Sequence, residues 1–250
     1  MHDSDIKKLL DARISRARAK ELLIALVRVP SPQTEQLEDE PLLKAFITSA
    51  IEPRLRTMGF VDIRYDGMGN LIAAYGAGTS NKSLMFIGNA MNQPASTMPN
   101  PYDGDVVDGA AYGLPGECVM GKGASEQKAN LAAMLHAMET VIASEVTITG
   151  KLIFICCLSG ETGKHDAIKS VILSPVPPST AMSARTPAPS TALLMASCLP
   201  VSPERQQVKT SLPLIATLLA ITVSMACSMA AKFAFCSLAP FPITHSPGRP

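Results

Sequence analysis

The chain has 250 residues, with 22 Lys+Arg against 21 Asp+Glu and a formal charge of +1. That balance excludes a strongly basic nucleic-acid binder and an acidic disordered chain as descriptions of the whole, and the length allows one large domain or two ordinary ones. At 47% hydrophobic, 17% charged and 4% aromatic with no Trp, a core must be built mostly from Ala, Leu, Ile, Val and Met.

The predicted elements begin with an amphipathic helix from Asp5 to Val29. Leu9, Ile14, Leu22, Leu23, Leu26 and Val27 recur there at near-helical spacing among Lys and Arg, and Pro30-Ser31-Pro32 stops the run. Pro41 to Met58 predicts a second helix, with Pro41 suited to its first turn and Gly59 just past its end. Pro53 inside it implies a kink or a break. Val61–Tyr65 and Leu71–Tyr75 read as a hairpin around the turn from Gly67 to Asn70.

Ser83–Gly88 is a short apolar strand, and a loop rich in Pro and Asn follows to about Asp105. Val106–Tyr112 is read as another strand. Gln127–Ser144 predicts a helix with Leu131, Met134, Leu135, Met138 and Ile142 on one side. Lys151–Leu158 is a continuous apolar run, the pattern of a strand buried on both faces. Asp166–Leu173 begins a further helix. Helices alternating with buried strands define an α/β fold, with helices packed on a mixed, mostly parallel sheet.

After Leu173 the composition changes abruptly. Residues 174–250 hold five basic residues and one acidic one, Glu204, and contain no Asp, Asn, Tyr or Trp. Of 16 glycines only Gly248 lies there, against 12 of the 20 prolines. A folded domain of that length normally turns on Gly, Asn and Asp. The chain is therefore divided into residues 1–173, an α/β region with ordinary turn residues, and 174–250, a Ser/Pro/Ala-rich low-complexity tail. The switch suggests out-of-frame translation near residue 173, with a genuine low-complexity linker as the alternative. Residues 210–231 carry no charge and are long enough to cross a bilayer, although Pro213 and several Ser and Thr weaken that reading.

The N-terminus, Met1-His2-Asp3-Ser4-Asp5 followed by Lys7 and Lys8, has no apolar signal core, so a cytoplasmic location is expected. None of the six cysteines forms a Cys-x-x-Cys pair, and adjacent Cys156 and Cys157 would point to opposite faces of a strand. They are read as reduced, mostly buried thiols.

In open α/β sheets ligands bind beyond the carboxyl ends of strands. Ser83–Gly88 runs into Asn89-Ala90-Met91-Asn92, Val106–Tyr112 leads to Gly121 through Lys128, and Lys151–Leu158 runs into Ser159-Gly160-Glu161. If these ends converge, Glu126 and Glu161 share one crevice, and paired carboxylates suit a divalent metal or acid–base work. Lys128 reads as a solvated first-turn residue and His136, beside Leu135 in mid-helix, as structural. His165, four residues after Glu161, is a weaker ligand candidate. Gly116 through Lys122 matches the opening of a phosphate-binding P-loop, but position 123 is Gly instead of Ser or Thr and no buried strand precedes it.

Asn100-Pro101-Tyr102-Asp103-Gly104 through Asp108-Gly109 to Tyr112-Gly113, then Gly121-Lys122-Gly123-Ala124-Ser125-Glu126-Gln127-Lys128, then Phe154 to Gly163, carry a family resemblance. In order and spacing they resemble the zinc-dependent aminoacylase, acetylornithine deacetylase, succinyl-diaminopimelate desuccinylase and carboxypeptidase G metallohydrolases, over about Glu21 to Leu173. The resemblance implies a divalent metal, zinc or cobalt, and hydrolysis of amide or peptide bonds in N-acyl amino acids or small peptides.

It also implies roles for single positions. The family's metal-binding His falls on Asn89 and its partner Asp on Met91. The bridging Asp falls on Glu126, the general-base Glu on Gly160, and the adjacent ligand Glu is kept as Glu161. Residues 114–120 read as an insertion. Asn89 offers a neutral amide oxygen, and two carboxylates alone bind a divalent ion weakly. The expectation is a truncated and impaired metallohydrolase acting on a small-molecule or peptide substrate. The alternatives are an inactive binding module, or a fragment without function that is membrane-associated through residues 210–231. No nucleic-acid partner is expected, and a membrane partner is disfavoured.

Overall fold

The computed structural model describes residue 8 and residues 10–79 and 83–159. The helix expected at 166–173, residues Gly160, Glu161 and His165, the boundary at 173 and the tail with its apolar run 210–231 all lie outside the described residues.

The first helix is shorter than its apolar spacing predicts. Residues 10–13 are helical, the chain then breaks at Ile14 and Ser15, and α1 runs from Arg16 to Val27. Ser15 is extended and its Oγ accepts the Arg18 N–H at 3.2 Å, so it starts a new helix instead of continuing an old one. α1 buries Leu22, Leu23, Leu26 and Val27.

The second predicted helix forms in three pieces: α2 (Pro41–Phe46), a π-helical turn (Ile47–Ile51) and α3 (Glu52–Thr57). The wide turn comes immediately before Pro53, whose missing N–H leaves the regular ladder without a donor. Past Thr57, Gly59 N–H donates to Arg56 O and Phe60 N–H to Leu55 O, both at 3.0 Å, closing the helix with the paired bonds of a Schellman turn.

β1 (Asp62–Tyr65) and β2 (Leu71–Tyr75) form the expected hairpin, with Tyr65 opposite Leu71. Its turn is held by Asp66, whose Oδ1 accepts the Met68 and Asn70 N–H groups at 2.9 Å. β3 (Ser83–Asn89) and β6 (Lys151–Cys157) are parallel neighbours, and β2 pairs antiparallel with β6, giving the order β1-β2-β6-β3. Among the described pairs only β3–β6 is parallel, so the sheet is mixed over these strands without being mostly parallel.

The segment read as one strand from Val106 to Tyr112 is divided. β4 covers Asp105–Asp108, and Asp108 then caps a 3₁₀ turn (Gly109–Tyr112) by accepting the Ala110 N–H at 3.0 Å. The stretch read as an insertion, 114–120, supplies β5 (Glu117–Met120), antiparallel to β4. That placement also removes the P-loop reading, because residues 117–120 are strand where a phosphate loop would have to wrap.

α4 runs from Gln127 to Ala143, as its periodicity predicts. It packs on α1 and on one face of the sheet, where Leu71, Ala73, Phe86, Leu152, Phe154 and Cys156 join Leu131, Leu135 and Met138 in one core. The alternate residues Ile72, Ile153, Ile155 and Cys157 are buried on the other face. β6 is therefore buried on both sides, as its unbroken apolar run predicts. Cys156 and Cys157 are free and lie on opposite faces, and Cys118 is buried as well. No helix among the described residues is long and apolar enough to cross a membrane.

Candidate functional site

The parallel pair β3–β6 with α4 between them is a β-α-β crossover, so α4 runs back against the strands and starts where they end. The contacts agree. A side chain on Gly88 would meet Leu131 Cδ2 at 2.6 Å, which seats α4 directly on the end of β3. Glu126, five residues before Leu131, thus belongs to the same end of the sheet as Asn89. Register puts Asn89 opposite Cys157, and the Ala90 N–H donates to Cys157 O at 2.8 Å. Two of the three expected strand ends therefore converge there, and the turn before α4 joins them.

The segments after β3 and before α4 interlock. Asn92 is 1% exposed and accepts Ser31 Oγ–H on its Oδ1 at 3.1 Å. Its backbone bridges to residues 31–33, with its N–H donating to Ser31 O and its O accepting the Gln33 N–H, both at 2.8 Å. Gly123 has φ +84°, and a Cβ there would lie 2.6 Å from Asn92 Oδ1. Gly121 is as tight, with Val27 Cγ1 at 2.3 Å from where its Cβ would stand. Between them the Lys122 N–H donates to Pro101 O at 2.6 Å. These contacts join the motif around Asn100 to the motif around Gly121, two segments that the sequence could only order.

Glu126 stands at the N-terminus of α4 but caps no backbone N–H. Its Oε1 is paired with Lys122 Nζ at 3.1 Å, while its Oε2 is buried and unpartnered. Asn89 Oδ1 and Asn92 Nδ2 are likewise buried without partners.

Lys128 corrects its reading as a solvated residue: it is 0% exposed. Its Nζ donates to Val29 O at 2.7 Å and more weakly to Val27 O at 3.4 Å, across the end of α1. The rings of Phe46 and Tyr102 each lie 5.4 Å away. Burial pushes its ammonium from 10.5 down to about 7, opposed by Glu126 and assisted by Lys122.

His136 is structural, as expected, and the way it serves is specific. Its Nε2 accepts the Ser15 N–H at 3.1 Å, and its Nδ1 faces Glu139 Oε2 at 3.5 Å. Glu139 in turn holds Arg18 through a 2.8 Å bond. Accepting a backbone N–H requires a neutral ring protonated on Nδ1, and burial accordingly moves the His136 pKa below its ordinary value.

Among the described residues, the donors do not fit a dinuclear metal centre. Asn89 supplies a neutral oxygen, and Met91, 0% exposed, is part of the core. Glu126 has one oxygen committed to Lys122. Cys157, the sulfur nearest in register to Asn89, has its thiol pushed up to about 12 by burial and stays protonated. No group of three His, Cys, Asp or Glu side chains with metal-site spacing occurs among the described residues. Leu158 and Ser159, which lead toward Glu161, are pinned by Asn70 Oδ1 accepting the Leu158 N–H at 3.0 Å and by Ser159 Oγ–H donating to Glu38 at 2.7 Å.

No protein-family profile matches the sequence. Among solved structures, the di-peptidase Dug1p from Saccharomyces cerevisiae is similar at 16% identity and a TM-score of 0.50, over 68% of this chain and 37% of that one. Human carnosine dipeptidase 1 gives 19%, 0.47, 62% and 34% in the same terms. The Bacillus subtilis YXEP protein, described as a dinuclear metal binding peptidase from the M20 family, gives 12%, 0.43, 63% and 40%. The first likeness shows a shared fold, and the other two, below 0.5, add nothing to it. The chain thus shares an α/β fold with part of that structure. It spans between 34% and 40% of the length of these structures.

Proposed function

We propose that this chain carries the first part of a metal-dependent peptide- or amide-bond hydrolase, and that as written it hydrolyses poorly or not at all. The substrate class the reading assigns is small peptides or N-acyl amino acids, with zinc or cobalt as the ion a complete relative would hold. What supports the class is the β3–α4–β6 crossover with the three motif segments gathered at its ligand-binding end. The observation that carries the loss is the end of β3. An amide stands at Asn89 and a core methionine at Met91, where the resembled family has His and Asp.

The second reading is a binding module that keeps the crevice without the chemistry. It is favoured by the orphaned polar atoms of Asn89, Asn92 and Glu126, which leave hydrogen-bonding capacity unspent at that end of the fold. One experiment tests the first reading. The full chain is purified, its metal content measured, and hydrolysis of dipeptides and N-acetyl amino acids followed with added zinc or cobalt. The proposal expects metal well below one equivalent and no turnover above background. Metal-dependent turnover that disappears in Glu126→Gln would refute it.

A further inference from the structure

We propose that residues 166–173, which lie outside the described residues, dock as a helix on the second face of the sheet, the face that α4 leaves open. The inference goes beyond the reading of the crevice and does not depend on it. That face is apolar and continuous across three strands. Ile155 stands opposite Ile72 of β2 on one side and Ile87 of β3 on the other, and Ile153 stands opposite Met85 of β3. Ile72 and Ile153 are 3% exposed, and Ile155 and Cys157 are 0% exposed. Yet no described helix contributes an apolar side chain to this cluster, and α1 to α4 contribute theirs to the other core. Four residues buried this deeply need a cover, and the residues not described are 1–7, 9, 80–82 and 160–250.

The sequence selects the occupant. The chain leaves β6 at Ser159, where its Oγ–H is bonded to Glu38, and the predicted helix starts at Asp166. A connector of the length of 160–165 is ordinary between a strand and the helix that packs back on it. Ala167, Ile168, Val171 and Ile172 make one apolar stripe, with Asp166, Lys169 and Ser170 on the opposite side. Pro175 disfavours a helical Ser174 and so ends the run. The lengths agree as well. A helix over 166–173 rises about 12 Å, and the stretch of β6 from Ile153 to Cys157 is about 13 Å long. The uncharged run 210–231 would rise about 33 Å as a helix and overreach the strip. With 166–173 in place the sheet is covered on both faces before the composition changes after Leu173, so the folded body closes without the tail.

Cys157 reports on the second face and its neighbour Cys156 on the first. The full chain is labelled with iodoacetamide, and the two thiols are read separately by tandem mass spectrometry. A carboxylate is costly to bury against an apolar face, so Ile168→Asp should lift the helix and speed labelling of Cys157 at least about tenfold, with Cys156 unchanged. Leu218→Asp, inside 210–231, should leave Cys157 protected. Continued protection of Cys157 in Ile168→Asp, or its exposure in Leu218→Asp, overturns the proposal. If Ile168→Asp exposes both thiols, the fold itself is lost and a cysteine pair decides. Ile168→Cys and Lys169→Cys are compared for disulfide formation with Cys157 under copper–phenanthroline oxidation. Ile168→Cys, on the stripe, should couple at least about tenfold faster, because a disulfide needs the two Cβ atoms close and facing. Equal rates overturn the proposal.

Discussion

Replacing Lys128 with Met should help the fold at neutral pH and harm it at alkaline pH. The side chain is 0% exposed, and its ammonium is pushed from 10.5 down to about 7 by burial. In the unfolded chain the same group titrates near 10.4. Between those values the unfolded state holds a proton that the folded state does not. Stability contributed by this group therefore rises with pH across the window, by about 1.4 kcal/mol per unit, and falls as pH drops toward 7. At pH 7 the cost of burying it is about 4–5 kcal/mol. Against that, Met leaves Val27 O and Val29 O without their donor at every pH, a loss of about 2–4 kcal/mol.

Met is therefore ahead by about 1–2 kcal/mol at pH 7 and behind by about 2–3 at pH 10. The robust quantity is the change of roughly 4 kcal/mol between the two, because every other titrating group is common to both chains. Urea unfolding of the original chain and Lys128→Met at pH 7, 8.5 and 10, followed by circular dichroism, measures it. A difference between the two chains that stays constant within about 1 kcal/mol over that range refutes the argument, since it would mean the buried amine keeps its ordinary pKa.

Two further outcomes follow from single contacts. Gly123→Ala should lower stability by about 2–3 kcal/mol, because it combines a φ of +84° with a Cβ 2.6 Å from Asn92. Gly113→Ala, at φ +72° with nothing within 4 Å, should cost only about 1 kcal/mol, and equal losses in melting experiments would contradict the clash. His136 is held neutral with its pKa below the usual 6.5, so its contribution is complete above that pH and is lost as pH falls below it. In His136→Gln, whose amide oxygen can still accept the Ser15 N–H, the loss of stability on acidification should be shallower than in the original chain. Identical acid profiles would sink that account.

What was legible in the sequence is what local pattern fixes. α4 and β6 stand within a residue or two of their predicted ends because apolar spacing alone sets them. The misread elements depend on distant partners. Ser15 breaks the first helix because its N–H is taken by His136, 121 residues away. Lys128 is buried because the end of α1 and the ring of Tyr102 close over it, and nothing near it in sequence announces that. β5 lies in residues 114–120, a stretch with no counterpart in the resembled pattern and set only by its pairing with β4. At the site, Asn89 and Glu126 do come to one end of the sheet, as the motif order implies, while the pairing of Glu126 with Lys122 needed coordinates.

The features this chain keeps and those it lacks divide along a physical line. Gly121, Gly123 and Lys128 match the resembled pattern, and each is held by packing: two admit no side chain, and one ties the end of α1 to the start of α4. The positions that depart, Asn89, Met91 and Gly160, are donors in that pattern, and a donor adds little to folding. A buried carboxylate is in fact costly without its metal, so Met91 inside the core is the more stable choice at that position.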